Sequence, residues 1–392
     1  MSEWIQTTVG DVATVFDGPH ATPKKTETGP WFLSISSLDK GRLNLADSAH
    51  VSEEDFGHWT RRVTPREGDV LFSYETRLGE AALMPSGIRA CLGRRMGILR
   101  PKAGLVDPKF LLYAYLGPEF QTTIATRTIH GATVDRIPLV SLPTWPIRLP
   151  GLAEQRAVVS VLGALDDKIV VNERIAATAE DLVLALASGV RWEGRVRLDE
   201  ICVLRKNQVS PQETLDDSVD HYSLPAFDAG KVPERVAPES IKSSKFSITE
   251  PAVLLSKLNP DIPRVWNVTP NSDVPSLAST EFLVLTPRGT LTTHELWAVT
   301  AQQAFLDDLA SKVTGTSKSH QRVRPAEALA AEVIDPRQFG ETGPQIQSLA
   351  SRAAMARQES QTLATLRDTL LPQLMSGRFR IKDAEKIVED AT

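Results

Sequence analysis

The sequence predicts an α+β protein in which two tandem mixed α/β domains are separated by two long helices. Two observations lead to this fold class. The chain repeats itself, since Ala-Ser-Gly-Val-Arg ending at Arg191 is matched 188 residues later by Met-Ser-Gly-Arg-Phe ending at Phe379. Each copy of this motif also closes a long stretch of helical periodicity that follows a region of mixed sequence.

The repeat extends into the regions before the helices. Val-Leu-Phe-Ser at residues 70–73 corresponds to Val-Leu-Leu-Ser at 253–256, and Gly-Ala-Thr at 131–133 corresponds to Gly-Thr-Ser at 315–317. A period of this length exceeds the roughly 20–50 residues of solenoid repeats. We therefore predict a duplication of one domain plus one helix. We expect the two helices to pair as an antiparallel coiled coil about a pseudo-twofold axis.

The first domain combines predicted strands with one helix. Residues 9–12 start a short strand or a turn leading into one, and residues 97–101 form a strand that a proline stops. The apolar runs at 31–35 and 67–73 have the turn residues and composition of buried strands. Residues 108–121 have the spacing of a helix, with Asp107 as its predicted cap and Pro108 in its first turn.

Four prolines between residues 138 and 150 mark the end of this domain, because they exclude a regular helix. The pattern then changes to alternating four-residue and three-residue spacings, which indicate a heptad. This stripe contains Val158, Leu162, Leu165, Ile169, Asn172, Ala176, Ala179, Val183 and Leu186. A helix over 152–188 would be roughly 55 Å long. Asn172 either fixes the register of the two helices or faces a bound subunit or solvent.

The second half repeats this organisation with more divergence. Strands are predicted at 248–258 and 281–285, a helix at 291–309, and the second long helix at 345–376, where Pro372 predicts a kink or an early stop. We assign residues 1–150 and 193–340 to the two domains. We assign 151–192 and 341–380 to the helical segments and 381–392 to a frayed, charged C-terminal tail.

Composition excludes several classes of protein. The formal net charge is −5, and residues 193–340 hold 16 basic against 20 acidic residues, so any nucleic-acid binding must use a local basic face. No apolar run approaches the roughly 20 residues that span a bilayer. The first residues do not resemble a secretion signal, and the two cysteines form no CxxC pair, so we expect a reducing, cytoplasmic compartment.

No catalytic motif is evident. The chain lacks the Gly-x-x-x-x-Gly-Lys-Ser/Thr pattern of a P-loop, and its seven histidines lack metal-ligand spacing, so no metal site is predicted. Leu-Asn-Pro-Asp at 258–261 lacks the second proline and the aromatic residue of the adenine methyltransferase loop that it superficially resembles. We therefore expect a protein without catalytic activity of its own.

The helical motifs resemble those of type I restriction-modification specificity subunits. Leu-Pro-Gly-Leu-Ala-Glu-Gln-Arg at 149–156, followed by a helix containing Leu-Gly-Ala-Leu-Asp-Asp at 162–167, resembles the central conserved region of that family. Leu-Arg-Asp-Thr-Leu-Leu-Pro-Gln-Leu at 366–374 resembles its distal conserved segment. The second helix lacks the Glu-Gln-Arg start. Gly-Asp-Val-Leu at 68–71 resembles a motif of the family's target-recognition domains, and Glu-Pro-Ala-Val-Leu at 250–254 replaces it in the second domain. These departures raise the question of whether the second recognition domain is functional.

The resemblance implies a DNA-binding adaptor. Each domain would read one half of a bipartite, asymmetric site in double-stranded DNA, and the helices would set the gap between the halves. The resemblance also implies partners, namely modification (methyltransferase) subunits, two being expected, and a restriction subunit that translocates DNA. S-adenosylmethionine, ATP and Mg²⁺ would then be bound by those partners. The first alternative is a coiled-coil scaffold that positions partner enzymes without reading DNA. The second is an autonomous nuclease or methyltransferase, which an activity assay on the purified chain would reveal.

Candidate DNA contacts are basic or hydroxyl residues, because arginine binds guanine bidentately and lysine suits phosphate. In the first domain they are Lys24, Lys25, Arg61, Arg62, Arg77, Arg94, Arg95, Arg127, Thr133 and Arg136. In the second domain they are Lys242, Lys245, Lys257, Arg264, Lys312, Thr316, Ser317, Lys318, His320, Arg322 and Arg324. Each has the alternative of being a solvated surface residue. The predicted spacer and docking residues are Glu154, Gln155, Arg156, Leu162, Leu165, Ile169, Asn172, Leu363, Leu370 and Leu374.

Overall fold

The computed structural model describes residues 4–46, 48–131, 134–188, 192–214, 216–270, 273–313, 321–377 and 379–391. The chain forms two compact units. Unit 1 contains Met1–Lys168 together with Leu363–Thr392, and unit 2 contains Ile169–Thr362. Each unit therefore contains one globular region and part of each long helix.

The first globular region alternates short strands and helices. Its strands are β1 (Ile5–Thr8), β2 (Ala13–Asp17), β3 (Thr26–Leu33), β4 (Leu38–Asp39), β5 (Arg42–Leu43), β6 (Ala49–His50), β7 (Val70–Ser73), β8 (Ala81–Leu83), β9 (Ala90–Leu92), β10 (Met96–Pro101) and β11 (Pro146–Leu149). Its helices are α1 (Val9–Val12), α2 (Glu53–Trp59), α3 (Pro108–Leu116) and α4 (Pro118–Arg127). The first long helix, α5 (Leu152–Leu186), follows.

The four-stranded antiparallel sheet of unit 1 has the order β2-β10-β7-β8, and β1 pairs with β11 in a separate ribbon. Val70, Leu71 and Phe72 are fully buried, because the apolar β7 lies inside this sheet. Residues 9–12 were predicted to start a short strand or a turn leading into one, and the second alternative is correct. They form the single helical turn α1, in which Thr8 and Asp11 complete a capping box, and β2 follows directly.

The helix predicted over 108–121 is in fact two helices. Asp107 caps α3 as predicted, because its Oδ1 accepts hydrogen bonds from the backbone N–H groups of Lys109 (2.9 Å) and Phe110 (3.1 Å). The helix ends at Gly117, which is extended (φ −68°, ψ 153°). The following Pro118 explains the break, since the residue before a proline avoids the helical conformation.

The second globular region repeats this architecture. Its strands are β12 (Arg195–Arg197), β13 (Cys202–Arg205), β14 (Gln208–Val209), β15 (Val219–Tyr222), β16 (Glu234–Val236), β17 (Lys245–Ile248), β18 (Ala252–Ser256), β19 (Val265–Val268), β20 (Ser276–Ala278), β21 (Phe282–Pro287) and β22 (Glu332–Ile334). Its helices are α6 (Leu198–Ile201), α7 (Leu224–Asp228), α8 (Thr293–Thr300), α9 (Gln303–Ser311) and α10 (Pro325–Ala330). The second long helix is α11 (Thr342–Met375), and α12 (Ile381–Ala391) ends the described chain.

The main sheets of the two units have the same topology. The order β13-β21-β18-β19 in unit 2 matches β2-β10-β7-β8 in unit 1, and the ribbon of β12 and β22 matches that of β1 and β11. The units differ in their secondary sheets. Unit 2 has a five-stranded sheet of order β14-β17-β20-β15-β16, whereas unit 1 has a three-stranded sheet of order β6-β3-β9. The predicted α+β fold class with a tandem duplication is confirmed.

Two predicted elements of unit 2 are divided. The strand predicted at 248–258 is split into β17 and β18, because Pro251 between them has no N–H to donate. The helix predicted at 291–309 is split into α8 and α9, since Gln302 is extended (φ −70°, ψ 136°). The side-chain nitrogen Nε2 of Gln302 donates to the carbonyl oxygens of Leu184 (3.2 Å) and Ala298 (2.9 Å).

The two long helices pack together along the predicted heptad stripes. In unit 1, the guanidinium of Arg367 lies 3.1 Å from the carboxylate of Asp166. In unit 2, Glu180 forms an ion pair with Arg357. The residue number on α11 falls as the number on α5 rises, so the helices run antiparallel. The stripe residues that are at most 5% exposed are Val158, Leu162, Leu165, Ile169, Asn172, Ala176, Ala179, Val183, Ile346, Ala353, Ala356, Leu363, Leu370 and Leu374.

Asn172 is buried within this seam, with only 1% of its surface exposed, so the alternative that it faces solvent is excluded. Neither polar atom of its side chain has a hydrogen-bond partner among the described residues. Ala176 and Ala356 belong to one apolar cluster. Asn172 lies four residues before Ala176 and Ser360 four residues after Ala356, so antiparallel pairing places them opposite each other. The hydroxyl of Ser360 is buried and unpaired as well.

The C-terminal segment differs from its prediction. The second long helix continues past Pro372 to Met375. The frayed tail predicted at 381–392 is instead the helix α12, because Ala384 and Val388 recur at helical spacing and are buried. Among the described residues, no helix is both long enough and apolar enough to cross a membrane.

Candidate nucleic-acid interface

Four of the basic residues predicted in the first domain, Arg77, Arg94, Arg95 and Arg136, lie at a corner at the end of β7. The hydroxyl of Ser73 donates to the carbonyl oxygen of Glu75 at 2.6 Å, which turns the chain away from the sheet. The next residue, Tyr74, bonds through its backbone to two other segments. Its N–H donates to the carbonyl of Arg95 (3.1 Å), and its carbonyl accepts from the N–H of Ile137 (2.9 Å). We call residues 73–77, 94–95 and 136–137 the first corner.

The same backbone pattern occurs at the end of β18 in unit 2. The hydroxyl of Ser256 donates to the carbonyl of Leu258 at 3.0 Å. The N–H of Lys257 donates to the carbonyl of Glu281 (2.9 Å), and the carbonyl of Lys257 accepts from Val323 (3.0 Å). We call residues 256–259, 281 and 321–323 the second corner. Lys257 thus corresponds to Tyr74 of the first corner.

An arginine occupies an equivalent place in both corners. Arg136 forms an isolated antiparallel bridge to Glu75, and Arg322 forms one to Leu258. Each arginine directly precedes the residue that bonds to the corner carbonyl. Each also follows a stretch of small and polar residues in the sequence, 131–133 in unit 1 and 314–320 in unit 2. The duplication therefore keeps one arginine after this stretch in both halves.

Both corners have backbone conformations that are unusual for residues with side chains. Thr76 has φ 72° and Arg95 has φ 73° in the first corner, and Asn259 has φ 49° in the second. Asparagine tolerates this left-handed region, whereas threonine is β-branched and is strained there. Such strain costs about 1–3 kcal/mol and is concentrated at functional sites. The strain therefore favours a role in binding for these corners.

The charges of the first corner are partly balanced. Arg95 Nε lies 2.9 Å from Oε2 of Glu75, which makes an ion pair. The Nε–H group of Arg95 nevertheless forms no hydrogen bond with any acceptor among the described residues. Arg77 Nη2 lies 3.4 Å from Oε1 of Glu80, and Nη1 donates to the carbonyl of Ile35. Arg94 and Arg136 are exposed, and their side chains form no ion pair within the described part of the chain. These two cations are thus accessible to a ligand.

The second corner contains a two-pronged ion pair. Nε and Nη2 of Arg322 each donate to one carboxylate oxygen of Glu281 at 3.0 Å. The hydrogen bond from Arg322 lowers the pKa of Glu281, with a further contribution from the nearby charge of Lys257. Lys257 is half-buried, and Arg324 is exposed at the N-terminus of α10. The arginine edge suited to guanine is therefore occupied by a carboxylate.

Other predicted contacts lie away from the corners. Lys24, Lys25 and Arg61 are exposed, whereas Arg62 pairs with Asp17 at 3.0 Å. In unit 1, Arg127 lies 5.9 Å from the ring centre of Trp145. The remaining positions of unit 2 have these arrangements: Lys312 pairs with Asp308 at 2.5 Å, Arg264 pairs with Asp228, Lys245 is buried, and Lys242 is exposed. Thr133, Thr316, Ser317, Lys318 and His320 lie outside the described residues.

The predicted spacer and docking residues divide into two groups. Leu162, Leu165, Ile169, Asn172, Leu363, Leu370 and Leu374 are buried in the helical seam. Gln155 is also buried, because it accepts a bond from the N–H of Asp107 and donates to the carbonyl of Pro150, which ties α5 to the first domain. Glu154 is half-buried, 3.4 Å from the indole nitrogen of Trp4. Arg156 is exposed and is thus the member of the set that is open to a partner.

Sequence reasoning missed the acidic members of the corners. Glu75 and Glu281 were not predicted, although each touches an arginine that was. A signal was present, because Ser73 and Ser256 end the most similar strands of the two repeats. Aligning the chain outward from those serines pairs Thr76 with Asn259 at the left-handed positions. Aligning from the Gly-Ala-Thr and Gly-Thr-Ser loops does not pair Arg136 with Arg322, because the loops differ in length.

Neither cysteine has the properties of a reactive thiol. Burial raises the pKa of Cys91 to about 11 and that of Cys202 to about 12. Both side chains belong to apolar surroundings. The described residues contain no group of histidine, cysteine, aspartate or glutamate side chains arranged to hold a metal ion.

Comparison with known proteins identifies similar chains. No family model matches. A curated relative from Methanocaldococcus jannaschii, which carries the provisional name type I restriction enzyme MjaX specificity subunit, is 24% identical over 185 residues. The match covers 44% of this chain and 42% of the relative, so the chain spans less than half the length of the curated protein that it matches.

Solved structures resemble the chain over nearly its whole length. The crystal structure of a type I restriction-modification system S subunit from M. genitalium has a TM-score of 0.56 at 14% identity. The similarity covers 95% of this chain and 96% of that one. The HsdS subunit from Thermoanaerobacter tengcongensis aligns over 96% of this chain and 97% of its own length, with 16% identity and a TM-score of 0.36. The resemblance of this chain to type I restriction-modification specificity subunits is thus confirmed, in sequence by the curated relative and in fold by the M. genitalium structure.

Proposed function

We propose that this chain is the DNA specificity subunit of a type I restriction-modification system. In this role each globular region reads one half of a bipartite, asymmetric site in double-stranded DNA. The duplicated corner is the observation that carries the proposal. Two domains that differ in surrounding sequence and in their secondary sheets each keep an arginine that bridges to the corner backbone.

The chemistry of the corners suits DNA. Arginine donates two parallel hydrogen bonds to the O6 and N7 atoms of guanine, and exposed arginines neutralise phosphates. The glycine and hydroxyl residues at 131–133 and 315–317 of the sequence suit a close approach to phosphates. Because the chain carries a net charge of −5, attraction must come from such local sites.

The chain would act without catalysis of its own. Modification subunits, expected in two copies, would methylate adenine with S-adenosylmethionine, and a restriction subunit would use ATP and Mg²⁺ to translocate and cut DNA. The antiparallel helices would set the gap between the half-sites and dock these partners in the cytoplasm. Arg156 and the other exposed positions on the helices would contribute to docking.

Adenine-methylation mapping by long-read sequencing tests this proposal. The cells should carry this chain with its neighbouring methyltransferase gene. We expect a split, asymmetric motif that disappears when the chain is deleted. Loss of information from one half-motif in a variant of the second corner would assign that half to unit 2. A methylation pattern that does not depend on the chain would overturn the proposal.

A scaffold without DNA readout is the second candidate. It is favoured by the ion pairs that occupy Arg62, Arg95 and Arg322, since a paired arginine attracts DNA less strongly. A DNA pull-down with the partner subunits present separates the two functions. A scaffold would assemble the partners but would not enrich any DNA sequence.

A further inference from the structure

Each corner contains one glutamate that binds one arginine, although the two pairs are built from different positions. In unit 1, Glu75 follows β7 and pairs with Arg95. In unit 2, Glu281 occupies the backbone position that corresponds to Arg95, and it pairs with Arg322. The individual residues have changed, while one glutamate–arginine pair is kept at each corner. This arrangement suggests that the carboxylate itself has a role.

These ion pairs are accessible to solvent and are therefore exchangeable. The side chains of Arg95 and Glu75 are 29% and 23% exposed, and those of Arg322 and Glu281 are 44% and 29% exposed. Losing a surface pair of this kind changes an equilibrium constant by about fivefold at most. A ligand with two acceptor atoms can consequently displace the carboxylate. A guanine edge and a phosphate both provide acceptors, and the carboxylate oxygens of Glu281 occupy the place of such a pair.

We propose that Glu75 and Glu281 are specificity-determining residues that compete with DNA for the corner arginines. Each glutamate weakens binding to DNA that offers only phosphates, because the arginine must first leave its carboxylate. A half-site with a correctly placed base acceptor compensates for the lost glutamate–arginine pair, because the released arginine then binds the base. This inference rests on the proposed function and identifies the residues that would separate specific from non-specific binding.

The test uses Glu75→Gln and Glu281→Gln in the full chain assembled with its modification subunits. Glu53→Gln is the matched control, because Glu53 also forms a two-pronged pair with an arginine, Arg89, at an exposed position of unit 1 outside the corner. All three variants change the net charge equally. Fluorescence anisotropy would measure affinity for a random-sequence duplex and for the duplex found by methylation mapping, over a range of salt concentrations.

We expect the two corner variants to bind the random duplex about twofold to fivefold more tightly than the Glu53→Gln control. The slope of log affinity against log salt should also become steeper by about 0.9 for each released arginine that contacts a phosphate. Affinity for the target duplex should change less, so the ratio of specific to non-specific binding falls. Replacing guanine by 7-deazaguanine in the target separates a base acceptor from a phosphate, because only the base contact is then lost.

A double variant provides the decisive comparison. The gain from Glu281→Gln should disappear when Arg322→Gln is also present, since no arginine remains to be released. Corner variants that match Glu53→Gln while the wild-type complex still discriminates the target would overturn this inference alone. A wild-type complex that does not discriminate any duplex would overturn the proposed function, and the inference with it.

Discussion

Replacing Asn172 with leucine should stabilise unit 2. The side chain is 1% exposed, and its Oδ1 and Nδ2 atoms have no partner among the described residues. A buried polar group without a partner costs about 1–3 kcal/mol. Leucine has the same number and branching of side-chain heavy atoms and suits the heptad stripe, so the substitution removes this cost, and the greater bulk of its two methyl groups offsets only part of the gain.

The expected change is large enough for calorimetry. Unit 2 contains the 194 residues from Ile169 to Thr362. For a domain of this size, 1 kcal/mol shifts the midpoint of thermal unfolding by about 2–4 °C. Asn172→Leu should therefore raise the Tm of unit 2 by about 2–12 °C in differential scanning calorimetry. Ser360→Ala should change the Tm in the same direction by a smaller amount, because its buried hydroxyl is also unpaired.

Thr178→Leu is the control for the Asn172 variant, since Thr178 is exposed on the same helix. Its free energy of unfolding should stay within about 0.5 kcal/mol of the wild-type value, which corresponds to a change in Tm of about 1–2 °C. A Tm of Asn172→Leu that is equal to or below that of the wild type would refute the reasoning. It would mean that the amide is satisfied in the seam and contributes to stability. A polar residue at such a position also restricts register, so disulfide trapping between the helices should show more than one register in the leucine variant.

Three further predictions concern the ion pairs, the strained corner and the helices. Burial acts to raise the pKa of Glu180, but the hydrogen bonds and charges of Arg357 and Lys231 outweigh it and lower the pKa. Glu180→Gln should therefore destabilise unit 2 at pH 7, and the difference should shrink as the pH falls below the ordinary carboxyl pKa of 4.5, because the unfolded chain then takes up a proton before the folded carboxylate does. A difference that is constant from pH 7 to pH 3 in denaturant titrations would contradict this. Thr76→Gly should stabilise unit 1 by about 0.5–1 kcal/mol, because glycine accepts a φ of 72° without strain. A free energy of unfolding in urea equal to that of the wild type would show that the turn is not strained. Deleting one heptad from both α5 and α11 should shorten the gap between half-sites in the methylation motif, and a motif with unchanged spacing would exclude a spacer role for the helices.

The long helices were predictable because their pattern is local and periodic. The buried stripe of α5 follows the heptad read from residue 158 onward, and only Leu186 at its end is half-buried. The divided helices were not predictable from spacing alone. The extended conformation of Gln302 depends on bonds to carbonyls as distant in sequence as Leu184.

The candidate site was predicted in part. The basic residues of the corners were identified, since Arg94, Arg95 and Arg136 form clusters or follow a Gly-Ala-Thr loop. Their acidic partners were not, because the pairing of Arg322 with Glu281 joins residues 41 positions apart. The strain at Thr76 was also invisible, because it lies in a tight turn in which the N–H of Arg77 donates to the carbonyl of Glu75 (2.9 Å), and residues 75–77 include no glycine or asparagine to indicate a left-handed position.

Unit 1 combines an early and a late part of the chain, so it can be completed only after the late part has been synthesised. The seam of unit 1 requires Leu363, Leu370 and Leu374, which the ribosome adds roughly 195 residues after Lys168. At a synthesis rate of about 5–20 residues per second, the apolar stripe of α5 waits roughly 10–40 s for this partner. The apolar stripe must be shielded during the interval. A chain that lacks residues 363–392 would leave the beginning of α5 uncovered and prone to aggregation.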